Sequence, residues 1–266
     1  FTSNAYLSDD LFKVWAAKRV EDGAPLVIGQ HGGNDGMACW SFAENHQIRI
    51  ADRYLTWGWT LPDHPMVVPV GNFKIANKVC KPDRAGKALL VQMSLPRLSY
   101  FLYSVPIASQ WLSYFDDQLR FVKSLPRHIQ NQLLVRLFPE DYGWCQKQRW
   151  RDELPYVQLD EARGSMASSL RCSRISISTY NATTYLESMS LDFPTLMFWN
   201  PNHWEVRESA RGDFDALRRA GIFHDSPESA AKHLAGVWDD VDQWWNDKVT
   251  REVRRGFCDK YSQKIV

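Results

Sequence analysis

The first part of the chain alternates between short apolar runs and amphipathic segments. The run at 25–30 (PLVIGQ) predicts a buried strand, and β-branched and aromatic residues predict two further strands at 52–59 and 65–72. Apolar residues at helical spacing predict helices over 11–20 and 38–49. Strands and helices joined by short connections are typical of a parallel α/β layer.

A polar stretch without periodicity, residues 77–86, separates this layer from a second alternating unit. Its lysine, proline, aspartate and glycine residues indicate a linker. The second unit opens with a predicted strand at 87–94 and a long amphipathic helix at 107–125. Further elements follow in alternation, with strands at 133–139, 156–159, 174–178 and 195–199, and helices at 161–170 and 182–190. This alternation predicts a doubly wound parallel sheet.

The C-terminal third is predicted to be helical. A helix over 213–221 ends at Gly221, which suits a C-cap, and Ser226 and Pro227 suit the N-cap and first position of the next helix. We therefore expect three parts, namely the end of a first α/β domain at 1–80, a second α/β domain at 85–225 and terminal helices at 226–266.

The composition is that of an ordinary globular protein, with 266 residues, 44% hydrophobic and 24% charged. A net charge of +1 gives no overall attraction for nucleic acid, so no such partner is expected. The five cysteines are widely spaced and include no C-x-x-C pair, which favours reduced structural thiols over a metal or redox site. No apolar run reaches the ~18 residues of a membrane span. We expect a cytoplasmic protein, with peripheral association at the inner membrane face left open.

The first candidate for chemistry is the glycine-rich stretch that follows the strand at 25–30. Gly32 and Gly33 let a ligand approach the backbone, and successive N–H groups there can hold an anion. His31 can donate a hydrogen bond or move a proton near neutral pH. The stretch lies beyond the carboxyl end of a strand, where parallel sheets bind ligands. Taken alone, however, this short motif favours a tight turn with a surface histidine.

A cluster of hydroxyl and amide side chains follows the strand at 174–178 and opens the next helix. The free N–H groups and the dipole of a helix N-terminus form a phosphate site. Side chains able to add donors there are Ser178, Thr179, Asn181, Thr183 and Thr184. Glu187, one turn further, can accept a hydrogen bond from a ribose hydroxyl. The spacing of Thr184 and Glu187 also fits a capping box, which would only satisfy the helix end.

Polar residues between two tryptophans follow the next strand and reach the same sheet edge. A candidate nucleotide or sugar rim consists of Asn200, Asn202, His203, Trp204 and Glu205. A loop packed by its own aromatic residues is an equal alternative. Arg136, also included in the rim, ends a buried strand and needs a partner. That partner is Glu140, Asp141 or a ligand phosphate, and an internal ion pair is the simpler explanation.

Four motifs together resemble those of a known family. They are Gly29 to Gly33 (GQHGG), Asp52 to Trp59 (DRYLTWGW), Asn181 to Glu187 (NATTYLE) and Phe198 to Glu205 (FWNPNHWE). In this order they resemble a family of bacterial transferases for surface-carbohydrate synthesis, first named from spirochaetes. The first two also resemble the end of the first domain of GT-B glycosyltransferases, and the third resembles the phosphate-binding turn of their second domain.

The resemblance implies an α/β, GT-B-like fold, with a Rossmann-type parallel-sheet donor domain preceded by the C-terminal portion of a first Rossmann-like domain. It implies a metal-independent glycosyltransferase that moves a sugar from a nucleotide-sugar donor to a cell-surface carbohydrate or lipid-linked glycan acceptor. The nucleotide sugar would be a co-substrate, and no cofactor is expected. His31 would position the donor phosphate or act as acid and base, opposite the phosphate-binding cluster.

Two departures from the family are expected to matter. Family members are longer, so we expect the first domain to be incomplete in this chain. Related transferases that use CMP-activated sugars often carry a His-Pro pair where this chain has Phe138 and Pro139, which weighs against a CMP donor.

Two other functions stay open. A nucleotide-sugar epimerase of the same fold would need acidic residues poised for proton abstraction, and the sequence shows no clear pair. A non-catalytic nucleotide-binding or scaffold remnant would bind a nucleotide without turnover. The motifs of P-loop proteins, dinucleotide-binding enzymes, zinc proteases and serine hydrolases are all absent from the sequence.

Overall fold

The computed structural model describes residues 1–5, 9–98 and 103–265. A first, parallel sheet has the strand order β1-β2-β3. Its strands are Val27–Gly29, Arg53–Thr56 and Val67–Pro69. Helices α1 (Asp10–Glu21) and α2 (Phe42–Ile50) precede β1 and β2, and a 3₁₀ turn at Phe73–Ile75 follows β3. Helix α2 begins at Phe42, later than predicted, because Ser41 caps it and accepts a hydrogen bond from the N–H of Glu44.

The second sheet has six parallel strands in the order β6-β5-β4-β7-β8-β9. Its strands are β4 (Lys87–Val91), β5 (Leu133–Arg136), β6 (Gln158–Asp160), β7 (Ser173–Ser178), β8 (Thr195–Phe198) and β9 (Phe223–His224). Counted within this sheet, the order is 3-2-1-4-5-6, the Rossmann order. The direction of winding therefore reverses between β4 and β7, and ligands of such sheets bind in the crevice at that point.

The helices that flank the second sheet fall into two groups. Those between strands are α3 (Ala108–Ser124), α4 (Arg127–Gln130), α5 (Gln146–Glu153), α6 (Met166–Arg171), α7 (Thr183–Ser190) and α8 (Glu208–Arg219). After β9 come α9 (Pro227–Val237), a 3₁₀ turn at Trp238–Asp240, α10 (Val241–Asn246) and α11 (Lys248–Tyr261). Across the described ranges, every helix is too short or too polar to cross a membrane.

The two parallel sheets confirm the GT-B-like α/β fold class expected from the sequence. Ser226 and Pro227 start α9 as predicted. The short elements α4, α5 and β9 were not predicted, since α5 (QKQRWRDE) carries almost no apolar pattern and β9 has only two residues. The domain limits near 80 and 225 stay a prediction.

One apolar core is shared by both sheets. It joins Ile28 and Tyr54 of the first sheet to Tyr185 of α7, Phe214 of α8 and Phe257 of α11. A second core lies between the strands of the larger sheet and helices α3 and α9. Because the shared core draws on elements from both ends of the chain, the first sheet and the terminal helices stabilise each other.

Truncation of Phe257 tests the shared core. Its ring lies 5.4 Å from that of Phe214 and 4.8 Å from that of Tyr261. We expect Phe257→Ala to lower the free energy of unfolding by about 3–5 kcal/mol, because it leaves a cavity in a packed interior. Chemical denaturation followed by circular dichroism and by tryptophan fluorescence measures the loss.

The matched control is Val249→Ala, on the same helix but 58% exposed. It should change stability by no more than about 0.5 kcal/mol. A loss below about 1 kcal/mol for Phe257→Ala would contradict the shared core.

Candidate functional site

The loop after β1 meets the turn after β7, and each loop leaves the carboxyl end of its strand. The contact is made by Gly33. A Cβ atom on Gly33 would lie 2.6 Å from the backbone nitrogen and Cα of Thr183, and 2.7 Å from the carbonyl carbon of Ala182. Only a residue without a side chain allows backbones to approach this closely. The structure thus brings together the two clusters that the sequence analysis singled out separately.

Gln30 holds this loop from behind. Its Oε1 accepts hydrogen bonds from the backbone N–H of Trp57 and the indole N–H of Trp59, both at 2.9 Å. Its Nε2 donates to the carbonyl oxygen of Gly32 at 2.6 Å. Gly36 has a φ of 76° and packs against the Trp59 ring. A Cβ atom on Gly36 would lie 2.6 Å from carbon atoms of that ring. The GQHGG and WGW motifs therefore form one structural unit.

His31 lies on the outer side of the loop. Its Nδ1 is 3.2 Å from the hydroxyl of Ser3, and its Nε2 is 3.3 Å from the amide nitrogen of Asn4. Each ring nitrogen therefore has a polar partner, and the tautomer decides which of the two carries the proton. Burial and the positive charge of Lys74 lower the pKa of His31. The imidazole is therefore neutral at pH 7 and able to accept a proton.

Among the residues that the structure describes, no side chain caps the N-terminus of α7. The N-cap residue is Ala182, which has no hydrogen-bonding side chain. The alternative of a capping box at Thr184 is wrong, because Thr184 lies inside the helix and its hydroxyl pairs with that of Tyr180 at 2.6 Å. The first N–H groups of α7 are thus left to a ligand or to water.

Asn181, directly before this helix, carries a buried donor without a partner. The residue is 1% exposed, and its Oδ1 accepts a hydrogen bond from the hydroxyl of Tyr185 at 2.9 Å. Its Nδ2 has no hydrogen-bond partner within the described part of the chain. An unsatisfied buried donor costs about 1–3 kcal/mol. A ligand oxygen at the first turn of α7 would remove that cost.

Ser178 and Thr179 are placed differently from the other residues of the cluster. The Ser178 hydroxyl donates to the carbonyl oxygen of Tyr180, and the Thr179 hydroxyl contacts the carbonyl oxygen of Val91 at 2.8 Å and the hydroxyl of Tyr114 at 2.6 Å. Ser178 and Thr179 are both fully buried. Their hydroxyls brace the crevice between β4 and β7, where the winding of the sheet reverses.

Lys74 is a candidate binding residue that sequence reasoning missed. Burial raises the pKa of Glu187 on α7, and the positive charges of Lys74 and Lys78 act in the opposite direction. The same Lys74 charge acts on His31. Lys74 therefore lies within electrostatic reach of both loop and helix. The sequence offers little to identify it, since it is a single lysine in the turn after β3.

Some of the candidate rim residues after β8 are engaged in hydrogen bonds or packing within the protein. Asn200 accepts a hydrogen bond from the N–H of Asn202 at 3.0 Å, and the carbonyl oxygen of Glu205 accepts one from the N–H of Cys39 at 2.9 Å. Trp204 is buried, and its indole N–H lacks a partner among the described residues. Burial lowers the pKa of His203, and the negative charge of Asp117 acts in the opposite direction. The side chains of Asn202 and Glu205 are exposed.

Arg136 forms an internal ion pair with a partner other than those named from the sequence. Its guanidinium donates to Asp160 Oδ2 at 2.5 Å, to the hydroxyl of Ser169 at 2.9 Å and to the carbonyl oxygen of Gly164 at 2.5 Å. The parallel register sets Arg136 of β5 opposite Asp160 of β6. Asp141 instead accepts hydrogen bonds from backbone N–H groups at the start of α5.

A buried charged cluster behind the loop was also missed. Asp35 is 9% exposed and Glu44 is 1% exposed. Glu44 accepts hydrogen bonds from the N–H of Gly36 and from Arg207, both at 2.6 Å. Burial and the negative charge of Glu44 raise the pKa of Asp35 to about 7. No sequence pattern links these residues, since Arg207 arrives from the segment before α8.

Comparison with known proteins gives one family match. The model of the LIC12162 family transferases matches residues 1–265. A search of curated proteins gave no match.

Solved structures similar to this chain include the spinosyn rhamnosyltransferase SpnG. Complexed with spinosyn aglycone, SpnG matches with a TM-score of 0.48 at 12% identity, over 89% of this chain and 63% of SpnG. Complexed with thymidine diphosphate, it matches with a TM-score of 0.43 at 12% identity and the same coverage. This chain thus spans 63% of the length of these structures.

Substitution of Gly33 tests the backbone contact. We expect Gly33→Ala to destabilise the protein by about 1–3 kcal/mol, because the added methyl group clashes with backbone atoms of Thr183 that cannot rotate away. Chemical denaturation measures the change. The control is Gly212→Ala in α8, where a Cβ atom meets nothing within 4 Å. It should leave stability unchanged or raise it by up to about 1 kcal/mol. Equal effects of the two substitutions would contradict the contact.

Proposed function

Because this chain belongs to the LIC12162 family of transferases, we propose that it is a glycosyltransferase that moves a sugar from a nucleotide-sugar donor to a cell-surface carbohydrate acceptor. The observation that carries this proposal is the contact of the Gln30–Gly33 loop with the uncapped first turn of α7. Loops from the carboxyl ends of two parallel sheets meet there, which is where such sheets bind nucleotides.

The donor phosphates would occupy the first turn of α7. Its free N–H groups, the unpartnered Nδ2 of Asn181 and the ammonium group of Lys74 are all donors or positive charges near this point. In glycosyl transfer the negative charge grows on the departing nucleotide. Fixed donors and a lysine stabilise that charge without needing a metal ion.

His31 would act from the loop on the opposite side. A ring nitrogen that exchanges Ser3 or Asn4 for a substrate can accept a proton from an acceptor hydroxyl or donate to a donor phosphate. Ser3 and Asn4, which now bond to the ring, fix its orientation. Gly32, where a Cβ atom would meet only Asn34 Oδ1 at 3.7 Å, would let the sugar phosphate approach the loop backbone.

The nucleoside would lie further along the same edge. Glu187 is positioned one turn into α7, where its carboxylate can accept hydrogen bonds from a ribose hydroxyl. The exposed side chains of Asn202 and Glu205 and the half-buried His203 would form the adjacent rim for the base or sugar. Trp204 supports this rim from within, because its ring is buried beside Tyr180.

The acidic pair in the structure does not favour an epimerase. Asp35 and Glu44 lie behind the loop and not in front of it. Glu44 is engaged by Arg207 and Gly36, and Asp35 accepts a hydrogen bond from Tyr54. Neither carboxyl is open to a sugar ring, so proton abstraction from a substrate carbon is not their role.

A nucleotide-binding screen tests the proposal. We expect one of CMP, CDP, UDP, GDP or thymidine diphosphate to raise the melting temperature. At 100 times its Kd, that nucleotide should raise the free energy of unfolding by about 2.7 kcal/mol. Asn181→Ala and Lys74→Met should each weaken that binding about tenfold or more, because each removes a donor to a charged group. Calorimetric titration measures the affinities.

Activity is then measured as nucleotide release from the matching nucleotide sugar with a glycan acceptor. His31→Gln should lower turnover more than affinity, whereas His128→Gln, an exposed histidine before β5, should change neither. Epimerised sugar among the products would point to the epimerase instead. If no nucleotide raises the melting temperature of the well-folded protein, the proposal of an intact donor site is wrong.

A further inference from the structure

Three connecting segments meet around Trp40, and each of them leaves the carboxyl end of a parallel strand. They follow β1, β4 and β8. The N–H of Cys39 donates to the carbonyl oxygen of Glu205 at 2.9 Å. The N–H of Trp40 donates to the hydroxyl of Ser104, and the N–H of Ser104 donates to the carbonyl oxygen of Trp40, both at 2.9 Å. Ligands of parallel α/β sheets bind at this edge.

Arg207 secures the backbone beside Trp40 from the interior. Its N–H donates to the carbonyl oxygen of Met37 at 2.8 Å. Its guanidinium donates to the carbonyl oxygen of Ala38 at 3.0 and 3.1 Å, and to the buried carboxylate of Glu44 at 2.6 Å. The backbone that carries Trp40 is therefore fixed before a ligand arrives. A side chain on a fixed backbone loses less entropy when it binds.

The Trp40 side chain faces solvent although its backbone is held on both sides. The residue is 61% exposed, and Phe42 is 39% exposed. Ser41, between them, is buried and extended, with φ −150° and ψ 96°, so the two aromatic side chains lie on the same side. The Phe42 ring is 4.8 Å from that of Tyr103. Exposed aromatic residues that are grouped at a ligand-binding edge indicate a contact surface.

Free polar groups border this aromatic surface. The side chains of Asn202 and Glu205 are exposed, and neither forms a hydrogen bond or an ion pair within the described ranges. The backbone of Glu205 is bonded to Cys39, next to Trp40. Carboxylate and amide groups both hydrogen-bond to hydroxyl groups. A pyranose ring fits this arrangement, because it carries C–H groups on its faces and hydroxyl groups around its edge.

We propose that Trp40 is the stacking platform for the acceptor carbohydrate, with Glu205 and Asn202 as hydrogen-bonding partners of the sugar hydroxyls. That this carbohydrate is an acceptor rests on the function proposed above. Trp40 is a binding residue and takes no part in the transfer step. Its loss should therefore weaken binding of the carbohydrate and leave the donor site unchanged.

The first experiment needs neither donor nor activity. In protein labelled with 5-fluorotryptophan, Trp40→Phe identifies the fluorine resonance of Trp40 by its disappearance. Methyl glycosides of glucose, galactose, mannose and N-acetylglucosamine are then added singly. We expect at least one of them to shift the Trp40 resonance but not that of Trp15, which is similarly exposed at 58% but lies on α1. Sorbitol, which has hydroxyl groups but no ring, should shift neither resonance.

The second experiment measures affinity for the glycoside that shifts Trp40, and its KM as acceptor. Trp40→Ala should raise both constants about tenfold, because an aromatic contact is lost. It should leave kcat, nucleotide affinity and the melting temperature unchanged. Trp40→Tyr keeps a flat ring and should restore most of the lost affinity. Trp15→Ala is the matched control and should change none of these quantities.

The outcomes separate this proposal from the proposed function. If a glycoside shifts Trp40 but the protein neither binds a nucleotide nor transfers a sugar, the proposed function is wrong and the carbohydrate site stands. If no glycoside shifts Trp40, the platform is overturned. A loss of nucleotide affinity in Trp40→Ala would assign the indole to the nucleobase. A change of molar mass in Trp40→Ala, measured by light scattering, would assign it to a protein contact. Either result also overturns the platform.

Discussion

The backbone contact between Gly33 and the first turn of α7 sets the arrangement of everything around it. Because these backbone atoms leave no room for a Cβ atom, the loop after β1 packs directly on α7 of the larger sheet. Gln30 fixes the loop from the first sheet, and Arg207 fixes it from the second. The helix N-terminus, the histidine and the buried carboxyl groups are held together by this single constraint.

Charge around the contact is arranged in two layers. In front of it lie groups suited to an anion, namely the N–H groups of α7, Asn181 and Lys74. Behind it lie Asp35 and Glu44, with Arg207 as their cation.

Local features of the structure could be predicted from the sequence, whereas partners distant along the chain could not. The strong apolar pattern of 107–125 and the cap at Ser226 led to the correct helices α3 and α9. The loop after β1 was found from its glycines. The partner of Arg136 was missed because it depends on the register of β5 against β6. The Asp35 cluster was missed because it joins residues from three distant segments.

The core shared by the two sheets limits how far they can move relative to each other. Two-domain transferases can close like a hinge when the units on either side of the cleft pack separately. Here Tyr54, Tyr185 and Phe257 belong to one apolar core, so opening a hinge between the sheets would expose it to water. Movement of one sheet against the other would therefore cost the free energy gained by burying this core.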